Sequence, residues 1–180
     1  MANIKGTGIL QVVTMLRERR DHAEPLLAES LRPYLDNHLL VASWYPEEDF
    51  LGLLGAMTHL VPKTEAADPW GWLGRESAAV DLVQIYSSMI QKGSPWGTLQ
   101  RLPRLWKLYH DSGRADVGVL GDAKAQVMVS EFAFATPEFC RWMSGYLGQM
   151  LRLAGASEVS VAPLSGGNGH GARWAASWTE

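Results

Sequence analysis

Asp116-Val117-Gly118-Val119-Leu120 and Ala125-Gln126-Val127-Met128-Val129 stand on either side of Gly121-Asp122-Ala123-Lys124. Apolar residues alternate with polar or small ones on both sides, which is the period of a half-buried strand, and the segment between them is rich in turn residues. The stretch reads as a β-hairpin, with residues 115–120 pairing with 124–132. Directly after it, Thr136-Pro137-Glu138 is a helix start: a hydroxyl N-cap, proline at the first helical position and an acid in the first turn. Phe139, Trp142, Met143, Tyr146, Leu147, Met150, Leu151 and Ala154 then form one broad apolar face, and Gly155 is placed to end the helix. A second hairpin, 157–163 with 173–178, is marked by Val159, Val161 and the run Trp174 to Trp178, with Gly166–Gly171 as its loop. Residues 114–180 thus read as a β-β-α-β-β core, a four-stranded antiparallel sheet with one helix on a face, and the fold class is α+β.

Upstream, residues 1–113 read as mainly helical. Ile9, Val12, Val13 and Leu16 share a face and end at the charged run Arg17–Asp21. Pro25 opens a second helix, which carries Leu26, Leu27, Ser30, Leu31 and Tyr34 and is limited by Pro33. Ser43-Trp44-Tyr45-Pro46-Glu47-Glu48-Asp49 reads as another start, with Pro46 in the first helical position and Phe50, Leu53, Leu54, Met57 and Leu60 on the apolar stripe. Asp68-Pro69 begins a long helix through Leu73, Ala78, Leu82, Ile85 and Met89 to Gly93. Ser94-Pro95 begins one more, bent at Pro103, with Leu99, Leu102, Trp106 and Tyr109 on one side. At 180 residues the whole, 1–180, is expected to be a single domain.

The net charge of −3 lacks the basic balance of a nucleic-acid binder. Neither a secretory leader nor a run of about 20 apolar residues is present, so no transmembrane segment is expected and the protein reads as cytoplasmic. The one cysteine, Cys140, has no partner for an internal disulfide, which agrees with a reducing compartment.

Candidate chemistry is sparse. His22, His38, His59, His110 and His170 have no metal-ligand spacing and read as scattered surface histidines, so no metal site is expected. The glycines of 166–171 lack the Lys-Ser/Thr and following helix of a phosphate loop. Cys140 lies near a helix N-terminus, where a thiol is more acidic. It reads as a buried thiol, with a ligand-contacting or nucleophilic role as the alternatives. Cys140, Ser144 and Gly148 make a small-residue stripe, for contact with the sheet or, alternatively, a dimer seam or ligand lining. Asp81 stands on an otherwise apolar face and calls for a partner, with Arg75 or Arg114 as candidates for a structural ion pair. No nucleophile, base and oxyanion donor come together, so no catalytic residue is assigned and the chain is not read as an enzyme.

Several motifs agree in order: Lys5-Gly6, Trp44-Tyr45-Pro46, Leu73-Gly74-Arg75-Glu76-Ser77-Ala78-Ala79-Val80-Asp81-Leu82, Leu102-Pro103-Arg104-Leu105-Trp106, Phe139-Cys140, Leu153-Ala154-Gly155-Ala156 and Trp178. Together they resemble a myxobacterial family of unknown function. That family is in turn similar to the superfamily of 4-vinyl reductase domains, haem nitric-oxide sensors and small TRAPP subunits. The resemblance implies the β-β-α-β-β core, frequent dimerisation and an apolar pocket for a lipid-like or tetrapyrrole-like ligand. Relatives often carry a Cys…Gly-Asp-x-x-Cys pattern in the last hairpin. The corresponding positions, near Leu164 and Ala172, are not cysteine, and no haem-ligating histidine matches, so no cofactor is assigned and haem remains a secondary option. The expected role is a non-catalytic sensory or regulatory domain with a hydrophobic small molecule between the last helix and the sheet. Trp106, Tyr109, Phe139, Cys140, Met143, Ser144 and Leu147 are the pocket candidates. A dimeric, TRAPP-like adaptor with a protein partner and no ligand is the alternative, and an enzyme with an unreadable site the third. Trp70 and Trp72 cannot both face inward on one helix, and the chain is expected to form a homodimer.

Overall fold

The computed structural model describes residues 2–166 and 169–179. The C-terminal half contains β3 (Arg114–Gly121), β4 (Lys124–Ser130), α8 (Pro137–Leu153), β5 (Ser157–Ser165) and β6 (Gly171–Thr179). The four strands form one antiparallel sheet in the order β3-β4-β6-β5. Alternation along the two central strands puts Ala125, Val127 and Val129 of β4 and Ala172, Trp174, Ala176 and Trp178 of β6 on the buried face. The edge strands β3 and β5 are largely exposed. The class is α+β, with this sheet as expected. Of the loop at 166–171, Gly167 and Asn168 lie outside the described residues, and Gly171 already belongs to β6.

Helix α8 begins as its sequence dictates. Thr136 accepts a hydrogen bond from the Phe139 amide (3.2 Å), and Pro137 follows the cap. Trp142, Tyr146, Leu147 and Met150 are all buried. Where Trp174 of β6 meets the helix, its indole N–H donates to the Cys140 carbonyl at 3.0 Å, so the large ring is buried without an orphan donor.

The N-terminal half is less regular. Strand β1 (Asn3–Lys5) leads into α1 (Gly6–Glu18), and β2 (Trp44–Pro46) pairs with β1 as a small second sheet. Three-residue strands show no period, so neither is predicted from sequence. Pro46 ends β2 and precedes α4 (Glu47–Thr58), rather than opening the helix itself. The helix expected after Pro25 is instead α2 (Arg20–Ala23), 3-10 turns at Glu24–Leu26 and Glu29–Leu31, and α3 (Pro33–Asp36). Two prolines eight positions apart each remove a backbone donor and break the ladder. Leu27, Leu31 and Leu35 are still buried, while Leu26 faces solvent.

The long helix from Asp68 is also divided. It runs as α5 (Pro69–Val80), a π turn at Asp81–Ile85, closed by Tyr86 N–H donating to the Asp81 carbonyl, and a 3-10 turn at Ser87–Met89. The extra residue in the wide turn shifts the apolar face, and Val83 and Ile85 become exposed. The helix expected over 95–109 is two, α6 (Pro95–Leu99) and α7 (Leu102–Tyr109), and Pro103 belongs to the first turn of α7 rather than to a bend.

Helices α5 and α8 touch through glycine. A Cβ at Gly74 would lie 1.9 Å from the Trp142 carbonyl oxygen, and one at Gly145 would lie 2.0 Å from that of Gly71. Any side chain there drives the two helices apart. The buried residues of both halves form one contiguous apolar cluster. No helix among the described residues is long and apolar enough to cross a membrane.

Candidate functional site: a polar-studded cavity between the two halves

Where the irregular half meets α8, the packing leaves a cavity. One wall is Leu102, Leu105, Trp106 and Tyr109 of α7, with His110 just beyond. The second is Trp142, Met143 and Tyr146 of α8, and Ile4, Gly8 and Asp81 of the π turn close it. The volume open to the centre of a water-sized sphere is about 20 Å³. That is room for one water molecule or one group of similar size.

Much of the wall is aromatic. Trp106 stacks on His110 with ring centres 4.0 Å apart and meets the Phe132 ring edge-on at 5.0 Å. Trp142 lies 5.2 Å from Tyr146, and Tyr109 meets Tyr86 edge-on at 5.1 Å. The Trp106 indole N–H is used, donating to the Ser112 carbonyl at 3.0 Å.

The polar atoms are less well provided. Asp81 Oδ1, the Tyr109 and Tyr146 hydroxyls and Trp142 Nε1 are all buried and without a hydrogen-bond partner. Tyr109 stands close enough to Asp81 and Tyr146 to influence their ionisation, but no direct bond with good geometry joins them. Burial pushes the Asp81 carboxyl up to about 7, and the neighbouring Tyr109 hydroxyl opposes that rise. Burial likewise raises the Tyr109 and Tyr146 phenols, which stay neutral. Buried polar atoms are nearly always paired, so four orphans around one cavity point to something that belongs between them.

A second buried polar pair lies behind the wall. His110 Nδ1 donates to Glu47 Oε1 at 2.5 Å, both side chains are buried, and Glu47 Oε2 has no partner. The His110 backbone also bridges to Ile4 of β1. One residue therefore links the cavity wall, the small sheet and the start of α4.

Of the seven pocket candidates, the structure brings Trp106, Tyr109 and Met143 together at this cavity. Phe139 and Leu147 are fully buried core residues, Phe139 packing against Trp106 at 6.2 Å. Cys140 and Ser144 face other surfaces. Cys140 borders a groove with Pro163, Leu164 and Gly166. Ser144 borders one with Arg75, Arg152 and Ser160, and its hydroxyl donates to the Cys140 carbonyl at 2.9 Å. The cavity lies against α1, α7 and the π turn, not between α8 and the sheet, because the sheet side is filled by Trp174 and its neighbours. The expected ion pair of Asp81 is also corrected. Arg75 bonds to Glu65 at 2.9 Å and Arg114 to Glu131, which leaves Asp81 among tyrosines. His110 is not a surface histidine, since it follows the apolar stripe of α7 by one turn from Trp106 and turns inward with it. The other four histidines are exposed. Trp142 and Tyr146 were assigned to the core face of their helix, and the signal that they also line a cavity is the unmatched acid at Asp81. Ile4, Gly8 and Glu47 carry no such signal.

Among the described residues, no three His, Cys, Asp or Glu side chains gather as a metal site. No curated protein matches the chain in sequence. In three dimensions it is similar to H-NOX domains. A Cs H-NOX mutant containing 4-cyano-L-phenylalanine is 13% identical with a TM-score of 0.71, the match covering 98% of this chain and 97% of that one. An H-NOX structure bearing on heme distortion is 12% identical with a TM-score of 0.68, over 98% and 95% of the two chains. An oxygen-binding H-NOX domain related to soluble guanylate cyclases, in its oxygen complex, is 11% identical with a TM-score of 0.66, again over 98% and 95%. At such identities the likeness is one of fold. A family model matches residues 8–179, and by it the chain belongs to the DUF2378 family of proteins of unknown function.

Proposed function

We propose that this chain is a non-catalytic, ligand-binding sensory domain whose ligand is a hydrophobic small molecule held at the cavity between α1, the π turn, α7 and α8. The observation that carries the reading is the set of four buried, unpartnered polar atoms around one aromatic-walled space. Ligand sites combine apolar walls with a few convergent polar anchors, and this cavity has both. The H-NOX-like fold, with an oxygen-binding H-NOX domain among its structural neighbours, supports a ligand-binding, sensory role. The protein works as a homodimer in this reading, and its exposed Leu40, Val41 and Trp44 are candidate contact residues. Light scattering near twice 19.8 kDa is the expected mass.

The residues do not fit a haem. The cavity holds about 20 Å³, so a macrocycle would have to displace the whole aromatic wall, whereas a small ligand need seat only one polar group there and lay its apolar part toward the open side. The buried histidine, His110, has one nitrogen on Glu47 and a ring face covered by Trp106. The Tyr109 and Tyr146 phenols are held neutral, which does not suit them as anionic ligands to iron. No haem chemistry is therefore assigned to this chain.

The test is ligand titration of the purified protein, followed by tryptophan fluorescence and melting temperature, with native mass spectrometry of material taken from cells. A saturable change with apolar small molecules, and no Soret band on adding hemin, is the expected result. A stoichiometric haem complex with a sharp Soret band would overturn the reading of the cavity. So would the absence of any adduct or melting shift across the apolar panel.

A further inference from the structure

The polar atoms at the cavity differ in what they can accept or donate, and that difference selects a ligand. Asp81 Oδ1, in the carboxylate form that prevails above about pH 7, accepts only. Trp142 Nε1 donates only. The Tyr109 and Tyr146 hydroxyls do either. A group that satisfies this set must donate one hydrogen bond and accept at least one, in the space of a single heavy atom. A hydroxyl does so: its proton goes to Asp81 and its two lone pairs accept from two of the three donors. A ketone or ether has no proton for Asp81. An ammonium has no lone pair for Trp142. A carboxylate is too large for the space and would set a second negative charge beside Asp81. A water molecule is the smallest species that meets the same demands.

Beyond this polar end, Ile4, Leu102, Leu105 and Met143 make an apolar wall, and the cavity is partly open to solvent. Met143 is unbranched, so it can shift to admit a chain or ring with little cost in packing. Gly8 holds space at the same end: a Cβ there would lie 2.7 Å from the Tyr109 ring and 3.0 Å from Ile4.

Resting on the reading of the site given above, we propose that its ligand is a neutral, protic amphiphile, an alcohol or phenol, whose hydroxyl replaces a water among Asp81, Tyr109, Tyr146 and Trp142. The apolar part of the ligand lies along Ile4, Leu102 and Met143. A hydroxyl that keeps the water's hydrogen bonds while its tail displaces solvent gains affinity over both water and a bare hydrocarbon.

The experiment compares three matched probes on the full chain at about pH 8, where Asp81 is ionised: 4-butylphenol, butylbenzene and octanoate, with melting temperature and total tryptophan fluorescence as readouts. The phenol is expected to bind at least about tenfold more tightly than butylbenzene, the worth of one to two hydrogen bonds. Tyr146→Phe keeps the ring and removes one hydroxyl. It should weaken the phenol about tenfold and leave butylbenzene unchanged. Asp81→Leu should erase the preference for the phenol. Equal binding of phenol and butylbenzene would overturn the protic ligand while leaving an apolar ligand site standing. Tightest binding by octanoate would overturn it also. If none of the three binds, both the ligand class and the cavity as a ligand site are rejected, and the cavity holds water alone.

Discussion

The two halves of the molecule are built on different terms. From Arg114 onward each strand and helix has seven residues or more, the strands of each hairpin pair directly, and the two central strands alternate buried and open without a break. Before Arg114 the chain uses three-residue strands, single 3-10 turns and a π turn. It is tied together by contacts between residues far apart in sequence: Asn3 with Asp111, Thr7 with Tyr86, Glu47 with His110. Most of the unpartnered buried polar atoms follow the same division. Glu47, Asp81, Tyr109 and Ser112 lie in the irregular half, and Trp142 and Tyr146 on the face of α8 that meets it, with Trp178 Nε1 of β6 the exception in the regular half. Regular elements satisfy their own backbone and bury apolar faces, so they leave little room for a site. The irregular half leaves polar groups pointing inward, at a cost in stability, and the cavity forms at its border.

The largest test of this contrast is Gly145→Leu. The seam between α5 and α8 joins the halves by backbone contact, so the variant should lose more than about 4 kcal/mol or fail to fold, measured by urea denaturation. Wild-type stability would mean the halves are not locked there. In the sheet, Trp174→Ala should cost about 3–5 kcal/mol, since the ring is fully buried and its N–H bonded. A loss under about 1 kcal/mol would show that the regular half is not where stability resides.

Asp81→Asn probes the irregular half through pH. The folded carboxyl titrates at about 7, against about 3.9 in an unfolded chain. Below pH 4 it is neutral in both states and costs nothing. Between about pH 4 and 7 the unfolded state ionises first, so stability falls as pH rises, and above pH 7 the loss is complete. Three pKa units correspond to roughly 4 kcal/mol. The variant should therefore lack most of this slope and be more stable than the parent above pH 7, by about 2–4 kcal/mol, because its amide also has to be satisfied. Parallel pH profiles would mean that Asp81 is solvated or paired. The smallest effect is expected at Gly55→Ala, inside α4, where a Cβ meets nothing within 4 Å. Helix propensity alone should raise stability by about 0.5–1 kcal/mol.

Legibility in the sequence follows the same line. The hairpins, α8 and its buried face are readable because period, cap and turn residues all agree. The short strands are not, because Ile4 and Tyr45 each stand alone in a three-residue run and pair only through tertiary contact. Pro25 and Pro33 signal interruption, yet nothing local says that the broken pieces become 3-10 turns. At the site, Asp81 was visible as an acid on an apolar stripe, and Trp106, Tyr109 and Met143 as aromatic or pliable residues on the right faces. The surroundings of Asp81 were not readable, because Arg75 and Arg114 are held by Glu65 and Glu131, and Tyr109 and Tyr146 reach the cavity from elements distant in sequence. Nor was His110, whose burial depends on Glu47, 63 residues earlier.

The first strand has a bearing on how the chain is made. Asn3 bonds to Asp111, Ile4 bridges to His110, and β1 pairs with residues 44–46. A ribosome releases the amino end first, so these earliest residues must wait while about a hundred more emerge before their last partners arrive. The nascent helical segment is therefore expected to stay open, with its apolar faces available to chaperones and proteases, until His110 and Asp111 clear the exit tunnel. The C-terminal core, by contrast, pairs its strands within short stretches of sequence and docks α8 on α5, which has already emerged. Translation pauses placed before residue 110 should then depress the yield of folded protein more than pauses placed after it.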